Sequence, residues 1–140
     1  MQQIEAAKLA QNAARPASVK RILIVDDEPA VRGALRAMVP KSTYTVTEAG
    51  DGVEALDVIA KGHADIVVLD LKMPRKGGIA TLREIKARWP GIQVIAISGE
   101  GLFADESRLE SSIVLGASFM IEKPISRAKF LAALETMARR

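Results

Sequence analysis

The stretch from Asp65 to Gly78, DIVVLDLKMPRKGG, contains four consecutive apolar residues that end at an aspartate, Asp70. A short continuous apolar run is typical of a strand that is covered on both faces, as in parallel sheets. Pro74 and the two glycines that follow are residues typical of turns and loops. The stretch therefore predicts a buried strand over Ile66–Leu69 whose carboxyl end presents the Asp70 carboxylate.

Strand candidates alternate with segments of helical periodicity from Arg21 onward. The strand candidates are Ile22–Val25, Thr43–Thr47, Ile66–Leu69, Ile92–Ile97 and Ser118–Ile121. Apolar residues at helical spacing form the groups Val31/Leu35/Met38, Val53/Leu56/Ala60, Ile79/Leu82/Ile85/Trp89, Leu109/Ile113 and Phe130/Leu134/Met137. Because crossovers between parallel strands are right-handed, this alternation predicts an α/β fold with helices on both faces of one sheet. We expect a doubly wound, five-stranded parallel sheet with five helices, in which the alternating second run is an edge strand.

The length and composition are those of one soluble globular domain. The chain has 140 residues, 49% of them hydrophobic, with charges of both signs interspersed. No apolar run approaches the roughly 20 residues that cross a bilayer, and no signal-peptide pattern is visible. The absence of cysteine excludes a disulfide framework, thiolate catalysis and Cys-ligated zinc. We therefore expect a cytoplasmic protein without a membrane contact.

The basic residues are scattered over the predicted helices and do not form one patch. The net charge is +3 and the sequence pI is about 9.4. Without zinc-finger spacing or a basic stripe interleaved with aromatic residues, this charge indicates a solvated surface and not a nucleic-acid interface. Residues 1–19 are rich in Ala and Gln, and Pro16 interrupts them. We expect them to form a flexible or partly helical extension before a folded domain at 20–140.

Polar residues follow the predicted strands at their carboxyl ends. They are Asp26-Asp27-Glu28 after the first strand, Asp70 after the third, Ser98-Gly99 after the fourth and Glu122-Lys123-Pro124 after the fifth. Ligands of open parallel sheets bind beyond these ends, where the winding direction reverses. In the flavodoxin-like strand order, the first and third strands flank that point. We therefore expect Asp26, Asp27 and Asp70 to converge on one pocket, with Ser98 and Lys123 along its rim.

Three converging carboxylates repel one another. At an effective dielectric constant of about 20, one pair at 4 Å costs roughly 4 kcal/mol. Mg²⁺ removes this conflict because it takes oxygen ligands, typically one or two carboxylates together with waters and a phosphate oxygen. A carboxylate beside a metal ion, a lysine and a hydroxyl suits phosphoryl transfer. The pattern therefore favours a magnesium site with phosphoryl chemistry.

Four segments in order resemble the receiver domain of bacterial two-component response regulators. They are ILIVDDEP, VVLDLKMPRKGG, VIAISGE and EKPI, and the resemblance covers about residues 20–140. It implies the flavodoxin-like strand order 2-1-3-4-5. It also implies that Asp70 accepts a phosphoryl group from a sensor histidine kinase or a histidine phosphotransfer protein. Lys123 would then pair with the phosphoryl oxygens, and Ser98 would move to hydrogen-bond them.

The same resemblance implies a set of ligands for Mg²⁺. Asp27 and Asp70 would bind the ion directly, Asp26 would act through water, and the backbone carbonyl of Lys72 would complete the protein ligands. Pro124 follows Lys123 where the family often has a cis bond. Such a bond is plausible for any X-Pro pair.

The sequence departs from the family pattern at three places. Met120 stands where the family usually has the Tyr or Phe that swings inward on activation. The adjacent Phe119 cannot replace it, because neighbouring strand residues point to opposite faces. The segment Ser98–Glu110 is longer than usual and glycine-rich, which predicts a mobile loop. Lys72 and Glu100 form an opposite-charge pair that we expect to slow hydrolysis of the phosphoryl group.

We favour a stand-alone receiver with no attached DNA-binding domain, which is not an enzyme beyond its own phosphorylation and dephosphorylation. It would signal through the surface of its fourth helix, fifth strand and fifth helix. The downstream protein is not identified by the sequence, and homodimerisation through this surface is left open.

Three other functions fit parts of the sequence. An Mg²⁺-dependent phosphatase with an aspartyl nucleophile would need a carboxylate at Lys72. A degenerate receiver that only binds a protein would have lost a pocket residue. The stretch Gly99–Ala104 fits a dinucleotide fingerprint, but it follows the fourth strand and not the first. Taken alone, Asp26-Asp27-Glu28 would equally suit an acidic helix start.

Overall fold

The five predicted strands form a single parallel sheet in the computed structural model, which describes residues 20–73, 77–99 and 116–139. The strands are β1 (Lys20–Val25), β2 (Tyr44–Ala49), β3 (Ile66–Asp70), β4 (Gln93–Ser98) and β5 (Phe119–Glu122). Every pair of neighbours is parallel, and the order is β2-β1-β3-β4-β5. The flavodoxin-like order 2-1-3-4-5 is therefore confirmed, with β2 at an edge as its alternating sequence predicts.

Four helices lie within the described residues. They are α1 (Pro29–Met38), α2 (Gly52–Ala60), α3 (Gly78–Arg88) and α4 (Arg127–Ala138). The fourth predicted helix, around Leu109 and Ile113, lies outside the described residues, as do the extension 1–19 and most of the loop after β4. The fifth predicted helix, which contains Phe130, Leu134 and Met137, is α4. None of the helices in the described ranges is long and apolar enough to cross a membrane.

The sheet separates two apolar clusters because strand residues alternate between its faces. One face of β1, β3 and β4 packs against α2 and α3 through Leu23, Val25, Val67, Leu69, Val94 and Ala96. The other face packs against α1 and α4 through Ile22, Ile24, Ile66, Val68, Ile95 and Ile97. Met120 packs on the first cluster and Phe119 on the second. The predicted opposition of these two β5 side chains is thus confirmed.

The ends of β3 and β4 differ from the sequence prediction by one residue each. The prediction ends these strands at Leu69 and Ile97, whereas the structure extends them to Asp70 and Ser98. The reason is that backbone pairing continues past the apolar run. Asp70 lies opposite Ile97, and the Leu71 N–H donates to the Ile97 carbonyl at 2.9 Å. Both polar side chains therefore project from the sheet itself and not from loops.

Helix α3 begins in direct backbone contact with the end of β3. A Cβ atom at Gly78 would lie 2.3 Å from the Asp70 carbonyl oxygen and 2.3 Å from the Leu71 Cα. Only a residue without a side chain permits this approach. The close contact fixes the start of α3 against the peptide that carries Asp70.

We predict that Gly78→Ser lowers the free energy of unfolding by about 1–3 kcal/mol, the usual cost of inserting atoms into a packed site. Gly77→Ser is the matched control, since a Cβ at Gly77 meets no atom of the described residues within 4 Å. Gly77 is also the N-cap of α3, where serine is favoured. Urea unfolding of both variants measures the difference. Equal stabilities would show that the Gly78 contact relaxes freely.

Candidate functional site

Three carboxylates meet at the carboxyl ends of β1 and β3. Oxygens of Asp26, Asp27 and Asp70 all lie within 4.8 Å of one another. The register explains the approach, because Val25 of β1 lies opposite Leu69 of β3, and Asp26 and Asp70 are the next residues after this pair. The convergence expected from the topology is therefore found in the structure.

The three acids differ in their exposure. Asp26 and Asp70 are 1% and 3% exposed, whereas Asp27 is exposed. An open pocket of about 460 Å³ lies beside Asp27 and Asp70. Its lining residues are Asp27, Glu28, Asp70, Lys72, Met73, Gly99 and Lys123. Asp70 is thus a mostly buried carboxylate that lines this pocket.

Asp70 is held by a backbone donor on one oxygen and a cation near the other. The Lys72 N–H donates to Oδ1 at 3.0 Å, and the Lys123 Nζ lies 3.5 Å from Oδ2. Burial raises the pKa of Asp70, and repulsion from Asp26 adds to this, while the Lys72 N–H and the Lys123 charge oppose it. The carboxylate form is therefore oriented but destabilised in the protein alone.

Lys123 bridges two of the acids. Its Nζ lies 3.5 Å from Oδ2 of Asp26 and 3.5 Å from Oδ2 of Asp70. Burial alone would lower the pKa of Lys123, but attraction to Asp70 and Asp26 outweighs it and raises the pKa. The backbone places the ammonium group there, because the Lys123 N–H donates to the Ser98 carbonyl at 2.8 Å. The Lys123–Pro124 peptide bond is cis, as the resemblance implies.

The sequence predicts that Ser98 lies on the rim of the pocket. In the structure, Ser98 is instead fully buried at the end of β4. The reason is that β4 continues through Ser98, which lies opposite Glu122 of β5. Among the described residues, the Ser98 Oγ has no hydrogen-bond partner. A buried hydroxyl without a partner costs about 1–3 kcal/mol, and such exceptions call for an explanation. An oxygen-rich ligand in the site would satisfy it.

The residues present fit a hard divalent cation such as Mg²⁺. Their donors are carboxylate oxygens, of which Asp27 and Asp70 line the open pocket where bound waters would also fit. Lys72 lines the same pocket, and its carbonyl as a further ligand stays a prediction. Glu100, the predicted partner of Lys72, lies outside the described residues.

Two residues of the site have no role in the sequence prediction. Glu28 lines the pocket, and its N–H donates to Oδ1 of Asp26 at 2.8 Å. Arg32 donates from Nη1 to the Asp26 carbonyl at 2.6 Å. The sequence does contain a signal for Glu28, because it is a third acidic residue directly after Asp26 and Asp27. The second contact involves a backbone acceptor, which no sequence pattern marks.

Comparison with known proteins gives a consistent result. The family model of the response regulator receiver domain matches residues 22–135. The response regulator MprA of Mycobacterium sp. (strain KMS) is 34% identical over 120 residues, which cover 86% of this chain and 51% of that protein. MprA of Mycobacterium avium (strain 104) is 33% identical with the same coverage. The chain spans about half the length of the curated relatives it matches.

Solved structures show the same fold. The receiver domain of NtrX from Brucella abortus has a TM-score of 0.76 and 31% identity, with 84% of this chain and 98% of that chain covered. A CheY-like receiver domain protein from Methanospirillum hungatei JF-1 has a TM-score of 0.78 and 26% identity, with 86% and 94% covered. The likeness extends over nearly all of both receiver chains.

We predict that Asp70→Asn raises the free energy of unfolding near pH 7 in EDTA, on the order of 1 kcal/mol, by removing one of the repelling charges. Because the pKa of Asp70 is raised on folding, ionisation of this carboxyl destabilises the folded wild-type protein. This destabilisation is absent below the unfolded pKa of about 3.9. It grows as the pH rises and is complete above the folded pKa. Urea unfolding between about pH 4 and pH 8 tests this. A variant less stable than wild type near pH 7 would contradict it.

Proposed function

The chain belongs to the response regulator receiver domain family, and from this premise we propose that Asp70 is its phosphoryl acceptor. The donor is the phosphohistidine of a sensor histidine kinase or of a histidine phosphotransfer protein. The observation that supports this most directly is the placement of Asp70. It is a buried carboxylate that lines one pocket with Asp27 and Lys123, and oxygens of Asp26 and Asp27 lie within 4.8 Å of its own.

The transfer exchanges one bond to phosphorus for another. A carboxylate oxygen of Asp70 forms a P–O bond while the P–N bond to the donor histidine breaks. The bonding electron pair returns to the imidazole nitrogen, which takes a proton. The product is an acyl phosphate on Asp70. The Lys72 N–H, which donates to Oδ1 at 3.0 Å, restricts the orientation of the attacking group.

The remaining residues balance charge around the phosphoryl group. Mg²⁺, held directly by Asp27, Asp70 and the Lys72 carbonyl and through water by Asp26, would supply positive charge to the phosphoryl oxygens. Lys123 already lies 3.5 Å from Asp70 and is positioned to pair with a phosphoryl oxygen. Its raised pKa supports the ammonium form at neutral pH. These groups stabilise the negative charge of the phosphoryl group electrostatically, and they do not act as acids or bases.

Ser98 provides the proposed connection from phosphorylation to signalling. Its buried Oγ has no partner among the described residues, and a phosphoryl oxygen would supply an acceptor. We propose that the hydroxyl turns toward this oxygen and moves the chain that follows β4. The response would then appear on the surface that includes β5 and α4, where the downstream protein binds.

We predict that incubation with acetyl phosphate and Mg²⁺ adds one phosphoryl group to the wild-type chain, as measured by intact mass spectrometry. Asp70→Asn should show no gain, because the nucleophilic oxygen is replaced by an amide nitrogen. EDTA should abolish the gain in wild type. A phosphoryl group on the Asp70→Asn variant, or none on wild type, would contradict the proposal.

The same incubation separates the two rival functions. A phosphatase with Asp70 as nucleophile would release many equivalents of inorganic phosphate per chain with sustained turnover. A binding-only receiver would bind Mg²⁺ and gain no mass. The position two residues after Asp70 is Lys72, which lacks the carboxylate that a phosphatase would use as acid and base.

A further inference from the structure

Arg32 of α1 contacts the backbone of the acidic loop. Its Nη1 donates to the Asp26 carbonyl at 2.6 Å, and its Nε donates to Oε1 of Glu48 at 3.0 Å. The Arg32 side chain is only 19% exposed. The guanidinium group therefore joins three elements: α1, the loop after β1, and the edge strand β2.

The contact from Arg32 completes the hydrogen bonding of Asp26. The Asp26 N–H donates to the Ala49 carbonyl at 3.1 Å, and Oδ1 accepts from the Glu28 N–H at 2.8 Å. Oδ2 lies 3.5 Å from the Lys123 Nζ. With the carbonyl bound to Arg32, each polar group of Asp26 has a partner. This residue is held from four directions before any ion binds.

Glu48 pairs with two arginines of α1, Arg32 and Arg36, which differ in their other hydrogen bonds. Arg36 donates from Nε to the second oxygen, Oε2, at 2.8 Å, and from Nη2 to the Val46 carbonyl at 3.2 Å. Both of these hydrogen bonds go to residues of β2, and neither goes to the acidic loop. Arg36 thus belongs to the same helix and binds the same carboxylate, but only Arg32 binds Asp26. The chain itself offers a matched control.

We propose that Arg32 is a positioning residue, which fixes the Asp26 backbone and through it the spacing of the acids that hold the divalent cation. The inference rests on the proposed function for its consequence in phosphorylation, but its effect on ion binding can be measured separately. Loss of the Arg32 bond frees the Asp26 carbonyl, and Asp26 and Asp27 then sample a wider range of positions. Partners that orient the residues of a metal site typically change metal affinity by about 10–100-fold.

The geometry of the guanidinium group is essential to this role. Arginine presents several N–H donors in a rigid fork, so one side chain reaches the Asp26 carbonyl and Glu48 together. A lysine carries the same charge on one nitrogen. Arg32→Lys therefore keeps the positive charge but cannot make both hydrogen bonds, which distinguishes the two contributions.

The test is a Mg²⁺ titration followed by NMR amide shifts, without a phosphodonor. We expect Arg32→Ala to raise the dissociation constant for Mg²⁺ by about 10-fold or more. Arg36→Ala should leave it within about twofold of wild type, and Arg32→Lys should stay close to Arg32→Ala. Equal affinities of the two alanine variants would overturn the inference. Recovery of wild-type affinity by lysine would also overturn it, because charge alone would then suffice.

Hydrogen exchange of the metal-free proteins gives a second readout that a general loss of stability does not mimic. The Glu28 amide, which donates to Asp26, should exchange faster in Arg32→Ala than in Arg36→Ala after correction for global unfolding. Equal exchange would contradict the positioning role. If wild type binds Mg²⁺ but acetyl phosphate adds no phosphoryl group, the proposed function fails. If wild type is phosphorylated but Arg32→Ala and Arg36→Ala have the same Mg²⁺ affinity and the same Glu28 exchange rate, only the role of Arg32 fails.

Discussion

Repulsion among three carboxylates is the constraint on which the site depends. Oxygens of Asp26, Asp27 and Asp70 lie within 4.8 Å of one another, and two of the three residues are almost completely buried. Lys123 offsets part of this charge from 3.5 Å, and the pKa of Asp70 is nevertheless raised. The metal-free site therefore holds an excess of negative charge. A divalent cation is the simplest group that offsets this charge, and the phosphoryl transfer proposed for Asp70 would use the same ion.

The rest of the fold keeps these charges together. Every residue of β3 is buried, so the strand cannot slide to relieve the repulsion at Asp70. Gly78 holds the start of α3 against the same peptide, with 2.3 Å between its hypothetical Cβ and the Asp70 carbonyl oxygen. On the other side, Arg32 holds the Asp26 carbonyl at 2.6 Å. Apolar burial and backbone contacts thus offset a local electrostatic cost, as is typical of functional sites.

The sequence predicts the sheet and the convergence of the acids well, because both follow from patterns of residue type. Apolar runs mark the strands, and the polar residue after each run marks one edge of the sheet. Other features depend on backbone atoms. Arg32 binds a carbonyl that every residue possesses, and Ser98 is buried because pairing with β5 continues past the apolar run. In the sequence, Gly78 likewise looks like an ordinary loop glycine. Its close approach to Asp70 and Leu71 becomes visible only when α3 and β3 are placed in the structure.

We propose above all that the three acids share one divalent cation in the pocket beside Lys123. Anomalous diffraction from crystals grown with Mn²⁺, which takes the same oxygen ligands, tests this most directly. We expect one strong peak bounded by the carboxylates of Asp27 and Asp70, next to Lys72. Absence of any peak in this pocket, at an Mn²⁺ concentration that supports phosphorylation, would contradict it.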